Sequence, residues 1–143
     1  MDNAGYGKYS KYVVYGPKPN QPTPPLGPGA VTDMAYLDDE VIPGSWNVIS
    51  AWFWPRSDEM VVIREPHVHD EHEVVCFFGS NPDDPFDLCG QVEFWMEDQR
   101  MVLDKSCLLY IPARMVHNPL KFLRIDRPIF HFSSVTESKW IPK

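Results

Sequence analysis

The stretch Glu65-Pro-His-Val-His-Asp-Glu-His-Glu-Val-Val75 decides how the rest of this 143-residue chain is read. It places His67 and His69 one residue apart. On an extended strand, positions i and i+2 share a face, about 6.6 Å apart. Two imidazoles so placed can lean toward one point, where a divalent ion takes nitrogen ligands at about 2.1 Å. Glu73 opens the next strand after a short charged turn, so its carboxylate can return to that point. His117, beyond the Ile111-Pro112 strand end, supplies a third imidazole. The pattern predicts a metal site of His67, His69, Glu73 and His117. A solvated hairpin end, crowded by Asp70, Glu71 and His72, would explain the first three alone; His117 tips the reading toward metal. His72 alternates away from Glu73 and is expected on the surface.

Working outward, β signals dominate from residue 31. Strands are expected over Trp46 to Trp54, Met60 to His69, Glu73 to Phe78, Gln91 to Glu97, Cys107 to Ile111, Leu120 to Ile125 and Ile129 to Val135. Turn clusters such as Asn81-Pro-Asp-Asp-Pro and Asp126-Arg-Pro separate them. No helical period runs longer than one or two turns. The expected fold is all-β, a sandwich or closed barrel. Residues 1–30 are expected to form a separate Pro/Gly/Tyr-rich arm, and 31–143 the barrel. Proline at the density seen in Gly16 to Gly29 removes backbone donors and favours an extended path. Tyr6, Tyr9, Tyr12 and Tyr15 recur every third residue and read as contact area against the body or a neighbouring subunit.

A net charge of -7 argues against nucleic acid as a partner. No apolar run approaches the roughly 18 residues of a membrane helix. Cys76, Cys89 and Cys107 are odd in number and lack CxxC spacing, as expected of reduced thiols in the cytoplasm.

These residues resemble the cupin superfamily of small double-stranded β-helix (jelly-roll) barrels. Its first motif, Gly-x5-His-x-His-x3/4-Glu-x6-Gly, is matched by His67, His69 and Glu73; Val61 stands at the opening glycine, and Gly79 falls one place short of the last. Its second, Gly-x5-Pro-x-Gly-x2-His-x3-Asn, is matched by Pro112 and His117, with Ser106, Arg114 and Lys121 replacing the glycines and asparagine. The resemblance spans roughly residues 45 to 135 and implies a metallocupin that pairs as a homodimer.

Three imidazoles and one carboxylate suit Fe(II), Mn(II), Ni(II), Co(II) or Zn(II) and leave two positions open if six-coordinate. Arg114 is a candidate anchor for an anionic substrate group, or else a surface arginine. His131 shares a face with Ile129 and Ser133, opposite Phe130 and Phe132, and can serve as acid, base, supporting group or structural histidine. Tyr110, Trp52, Trp54 and Trp95 are expected to fill the barrel or an interface, with Tyr110 a candidate at the substrate. The resemblance implies metal-dependent chemistry on a small organic molecule. Fe(II) dioxygenase chemistry is preferred over isomerase, cyclase or lyase activity, and over ligand capture without chemistry.

Overall fold

A computed structural model describes residues 4–21 and 26–136. Nine strands make two antiparallel sheets. They are β1 Val31–Leu37, β2 Asn47–Phe53, β3 Met60–Ile63, β4 Glu73–Phe78, β5 Asp87–Met96, β6 Gln99–Lys105, β7 Cys107–Ile111, β8 His117–Ile125 and β9 Ile129–Val135. The five-stranded sheet has the order β1-β2-β9-β4-β7, the four-stranded sheet β3-β8-β5-β6. This is the jelly-roll barrel expected from the sequence.

Period-2 alternation explains why these segments are strands and which face each buries. On β4, Val75 and Phe77 point inward; on β5, Leu88, Val92 and Phe94 do; on β8, Leu120 and Phe122. Phe53 and Phe122 pack at 4.4 Å between ring centroids, and Phe77 meets Phe122 at 5.9 Å. These rings fill one end of the barrel. The other end, where β4 starts at Glu73 and β8 starts at His117, stays open.

Gly79, just after β4, has a steric requirement. A Cβ there would lie 1.9 Å from the carbonyl oxygen of Asp87, so the chain crosses β5 too closely for any other residue. Ser106 fixes the same end: its hydroxyl accepts the Gly79 N–H at 3.0 Å and donates to the Pro85 carbonyl at 2.8 Å.

Several expectations are corrected. β1 and β6 were not expected as strands; β6 is polar and mostly exposed, an edge strand whose alternation is hard to see. The expected strand Met60 to His69 stops at Ile63, and His67 joins the barrel only through an isolated bridge to His117. Of the two places expected for Trp52 and Trp54, barrel interior or interface, the interior is excluded. They stack on each other outside it at 6.1 Å, and Trp52 meets Phe130 edge-on at 5.3 Å.

The arm is not extended throughout. Ala4–Tyr12 forms a 3₁₀ helix interrupted at Gly7, and with three residues per turn the tyrosine spacing puts Tyr9 and Tyr12 in one stack at 6.4 Å. Further on, the Lys18 ammonium binds Asp38 and Glu40, each at 2.9 Å, tying the arm to the turn after β1.

Candidate metal centre

His67 and His117 are held side by side by backbone pairing. Each N–H donates to the other's carbonyl at 3.0 Å. The neighbouring strand end is fixed by a turn: the Met115 N–H reaches the Pro112 carbonyl at 3.2 Å, and the Arg114 N–H donates to the His69 carbonyl at 2.8 Å. Arg114 sits at φ 65°, the left-handed conformation for which glycine is favoured. The turn thus keeps its left-handed shape without the glycine found in the family motif.

The imidazoles of His67, His69 and His117 converge, with one ligand atom from each lying within 4.8 Å of the others. His117 is buried, His69 partly buried and His67 exposed at the rim. Glu73 Oε1 lies 3.0 Å from His69 Nε2 and 3.4 Å from His117 Nε2. The Nδ1 atoms of these two histidines face the carbonyls of Glu71 at 3.0 Å and Met115 at 2.9 Å. A carbonyl only accepts, so each Nδ1 carries the proton. In the neutral form, the one that ligates a metal, each ring would direct an Nε2 lone pair at a carboxylate oxygen. Such an arrangement repels unless a cation, proton or metal, lies between. His117 Nε2 is buried with no hydrogen-bond partner among the described residues. The donor set therefore fits a divalent metal ion.

The electrostatics favour the ligand form at Glu73 and His67, while His117 is drawn toward protonation by Glu73. Burial would raise the Glu73 carboxyl, but contacts with His117 and His69 outweigh it and hold the group below its ordinary range. Burial, reinforced by the neighbouring histidines, lowers His67, favouring the neutral ligand form. Burial opposes protonation of His117 too, yet Glu73 and the Met115 carbonyl pull it above the ordinary value.

The histidines open onto a cavity of about 330 Å³. His131 lines it; its Nδ1 donates to the Cys76 carbonyl at 3.0 Å, and its ring stacks on Phe77 at 4.9 Å. Burial pushes its pKa down to about 4, so Nε2 is an unprotonated acceptor at neutral pH.

Arg114 and Tyr110 are not among the residues lining this cavity. Tyr110 points outward and donates its hydroxyl to His72 Nδ1 at 2.6 Å, where the Ala113 N–H also donates at 3.2 Å. His72 is exposed on that outer face. Cys76 lies beneath the outer face, and burial pushes its thiol up to about 11, far from a nucleophile's range.

Sequence reasoning missed several wall residues. Asn118 lies beside His67, its Nδ2 at 3.3 Å from His67 Nδ1. Gln21 and Leu26, from the arm, also line the cavity. Asn118 falls between His117 and the expected strand from Leu120, with no motif to mark it, and nothing local marks the arm residues as wall. Their placement depends on long-range packing.

No protein-family profile and no curated protein sequence matches this chain. Among solved structures it is similar to a predicted oxalate decarboxylase from Thermotoga maritima, at 12% identity and a TM-score of 0.51, covering 88% of this chain and 99% of that one. An RmlC-like cupin from Shewanella frigidimarina is 12% identical, with a TM-score of 0.45 over 87% of this chain and 92% of that one. Oxalate oxidase in complex with glycolate is 14% identical, with a TM-score of 0.49 over 78% of this chain. This chain covers 53% of the oxidase, about half its length. The likeness to the Thermotoga protein, over nearly the whole of both chains, is one of fold, the two-sheet jelly-roll barrel described above. At these identities the likeness concerns architecture, and function has to be argued from the site.

Proposed function

We propose that this protein is a metal-dependent cupin enzyme acting on a small organic substrate. In this reading His67, His69, His117 and Glu73 hold one divalent transition metal. The observation that carries it is the convergence of the three imidazoles, with Nε2 of His69 and of His117 at 3.0 and 3.4 Å from one Glu73 carboxylate oxygen. Iron, manganese, nickel, cobalt and zinc all suit such donors. When bound, the ion supplies Lewis acidity or, as Fe(II), dioxygenase-type oxidation of a chelated substrate. We favour Fe(II), since three imidazoles and one carboxylate would leave a six-coordinate ion two positions for substrate and O2.

The chain's own residues have separable tasks. The carbonyls of Glu71 and Met115 fix the tautomers and ring planes of His69 and His117. Asn118 steadies His67 at the rim. The apolar wall, including Ile49, Phe94 and Leu120, keeps water from most of the substrate. His131 is too weak a base to take a proton outright at neutral pH; its Nε2 accepts a hydrogen bond and orients a substrate hydroxyl.

The test is elemental analysis of protein purified without chelator or affinity nickel, followed by anaerobic iron loading and a screen of aromatic diols, diketones and hydroxy acids with oxygen uptake as readout. Near-stoichiometric metal and turnover lost in His67→Ala are expected. Protein that holds no metal under any loading would end this reading.

The same reading includes a homodimer. Phe78, Leu108 and Tyr110 are exposed on the outer face of the five-stranded sheet, and β7 is its edge strand. Mass in solution tests it: twice the chain mass is expected, and a monomer at micromolar concentration would remove it.

A further inference from the structure

The cavity wall has a chemical bias. Among the described residues lining it there is no arginine and no lysine. Apart from the histidines, its ionisable groups are Asp33 and Glu73, both acidic. The rest of the wall is largely apolar, with Ile49, Phe53, Val75, Phe94, Ile111 and Leu120 among its residues. His131, the remaining ionisable group there, is held neutral by the barrel and offers only an acceptor. Hydrogen-bonding side chains are found at Gln21, Asn47, Asn118 and Ser133.

We propose that the cavity takes a neutral, largely apolar small molecule bearing a phenol, enol or ketone oxygen, and that it rejects small dianions. This rests on the metal-dependent reading for the end of the molecule that meets the histidines. The apolar wall carries the rest independently. A second carboxylate placed there would lose its hydration and meet no cation in return. An apolar ring gains by leaving water. The volume, about 330 Å³, falls at the small end of the range for small-molecule sites. Leu26 and Gln21 make the arm part of this selectivity, since both line the same cavity while Lys18 ties the preceding turn to Asp38.

Isothermal titration of the full chain, zinc-loaded and separately EDTA-treated, tests the proposal with 2-hydroxyacetophenone as neutral probe and succinate as dianion. The zinc-loaded protein is expected to bind the neutral probe at least tenfold more tightly than succinate. The EDTA-treated protein is expected to keep weaker binding of the neutral probe and to show none of succinate. Leu26→Arg, or Gln21→Lys should the first variant fold poorly, is expected to narrow the preference by about tenfold. Equal or tighter succinate binding would overturn the proposal. So would a protein that retains zinc yet binds neither probe, which leaves the metal reading standing. Failure to retain zinc with neutral binding preserved would sink the metal reading and spare this one.

Discussion

His67 and His117, 50 residues apart in sequence, exchange both backbone hydrogen bonds at 3.0 Å, and their rings meet edge to face at 4.4 Å. That bridge joins the loop after β3 to the first residue of β8. It makes one site out of two distant segments. The two residues differ in burial, with His117 enclosed beside Phe94 and His67 at the rim.

The difference in burial separates their mutational effects. His67→Ala should abolish metal retention while leaving the EDTA-treated protein's melting temperature nearly unchanged. His117→Ala should abolish retention and also cost roughly 1–3 kcal/mol, because it opens a buried gap. Metal stoichiometry and thermal melts in EDTA distinguish the two. A His67→Ala protein with full metal content would remove His67 from the ligand set.

Glu73→Gln keeps the shape of the side chain and removes the charge facing His69 and His117. Metal affinity is expected to fall by at least about 10- to 100-fold, the size of change seen when a group that supports a ligand is lost. Competition with a metal-binding dye gives the number. Unchanged affinity would mean that the carboxylate stays outside the coordination sphere.

His131 predicts a pH dependence of stability. Its pKa is lowered from 6.5 when unfolded to about 4 in the barrel. Between those values the unfolded chain binds the extra proton, so stability rises with pH there and is lost as pH falls from about 6.5 toward 4. The full loss is on the order of 3 kcal/mol. His131→Gln should flatten this part of the profile, measured by urea unfolding of EDTA-treated protein. A variant with the wild-type slope would assign the dependence to other groups.

Two backbone positions give opposite predictions. Gly79→Ala drives a methyl into the Asp87 carbonyl and should destabilise by several kcal/mol or prevent folding. Arg114→Gly relieves a left-handed φ of 65° and should leave stability unchanged or raise it by up to about 1 kcal/mol. Denaturant midpoints of the two variants check both. A tolerated Gly79→Ala would mean that β4 and β5 separate more easily than their approach indicates.

The barrel was legible in the sequence because strand alternation is a local property. Ile129, His131 and Ser133 could be assigned one face and Phe130 and Phe132 the other without knowledge of the fold. The same counting left Trp52 and Trp54 open between barrel and interface: alternation says which residues share a face but not which face is inside. β6 escaped because a mostly exposed edge strand has little apolar alternation to read.

By itself the sequence determined an all-β chain with a His-x-His segment, a following carboxylate and a later histidine after a strand-ending proline. Only the tertiary structure decided that three rings converge, that Tyr110 faces outward to His72, and that Gln21 and Leu26 of the arm line the cavity. The physical reason is range. Periodicity is set by neighbouring residues, whereas convergence depends on register between strands and loops far apart in the chain, fixed by backbone pairs such as that of His67 with His117.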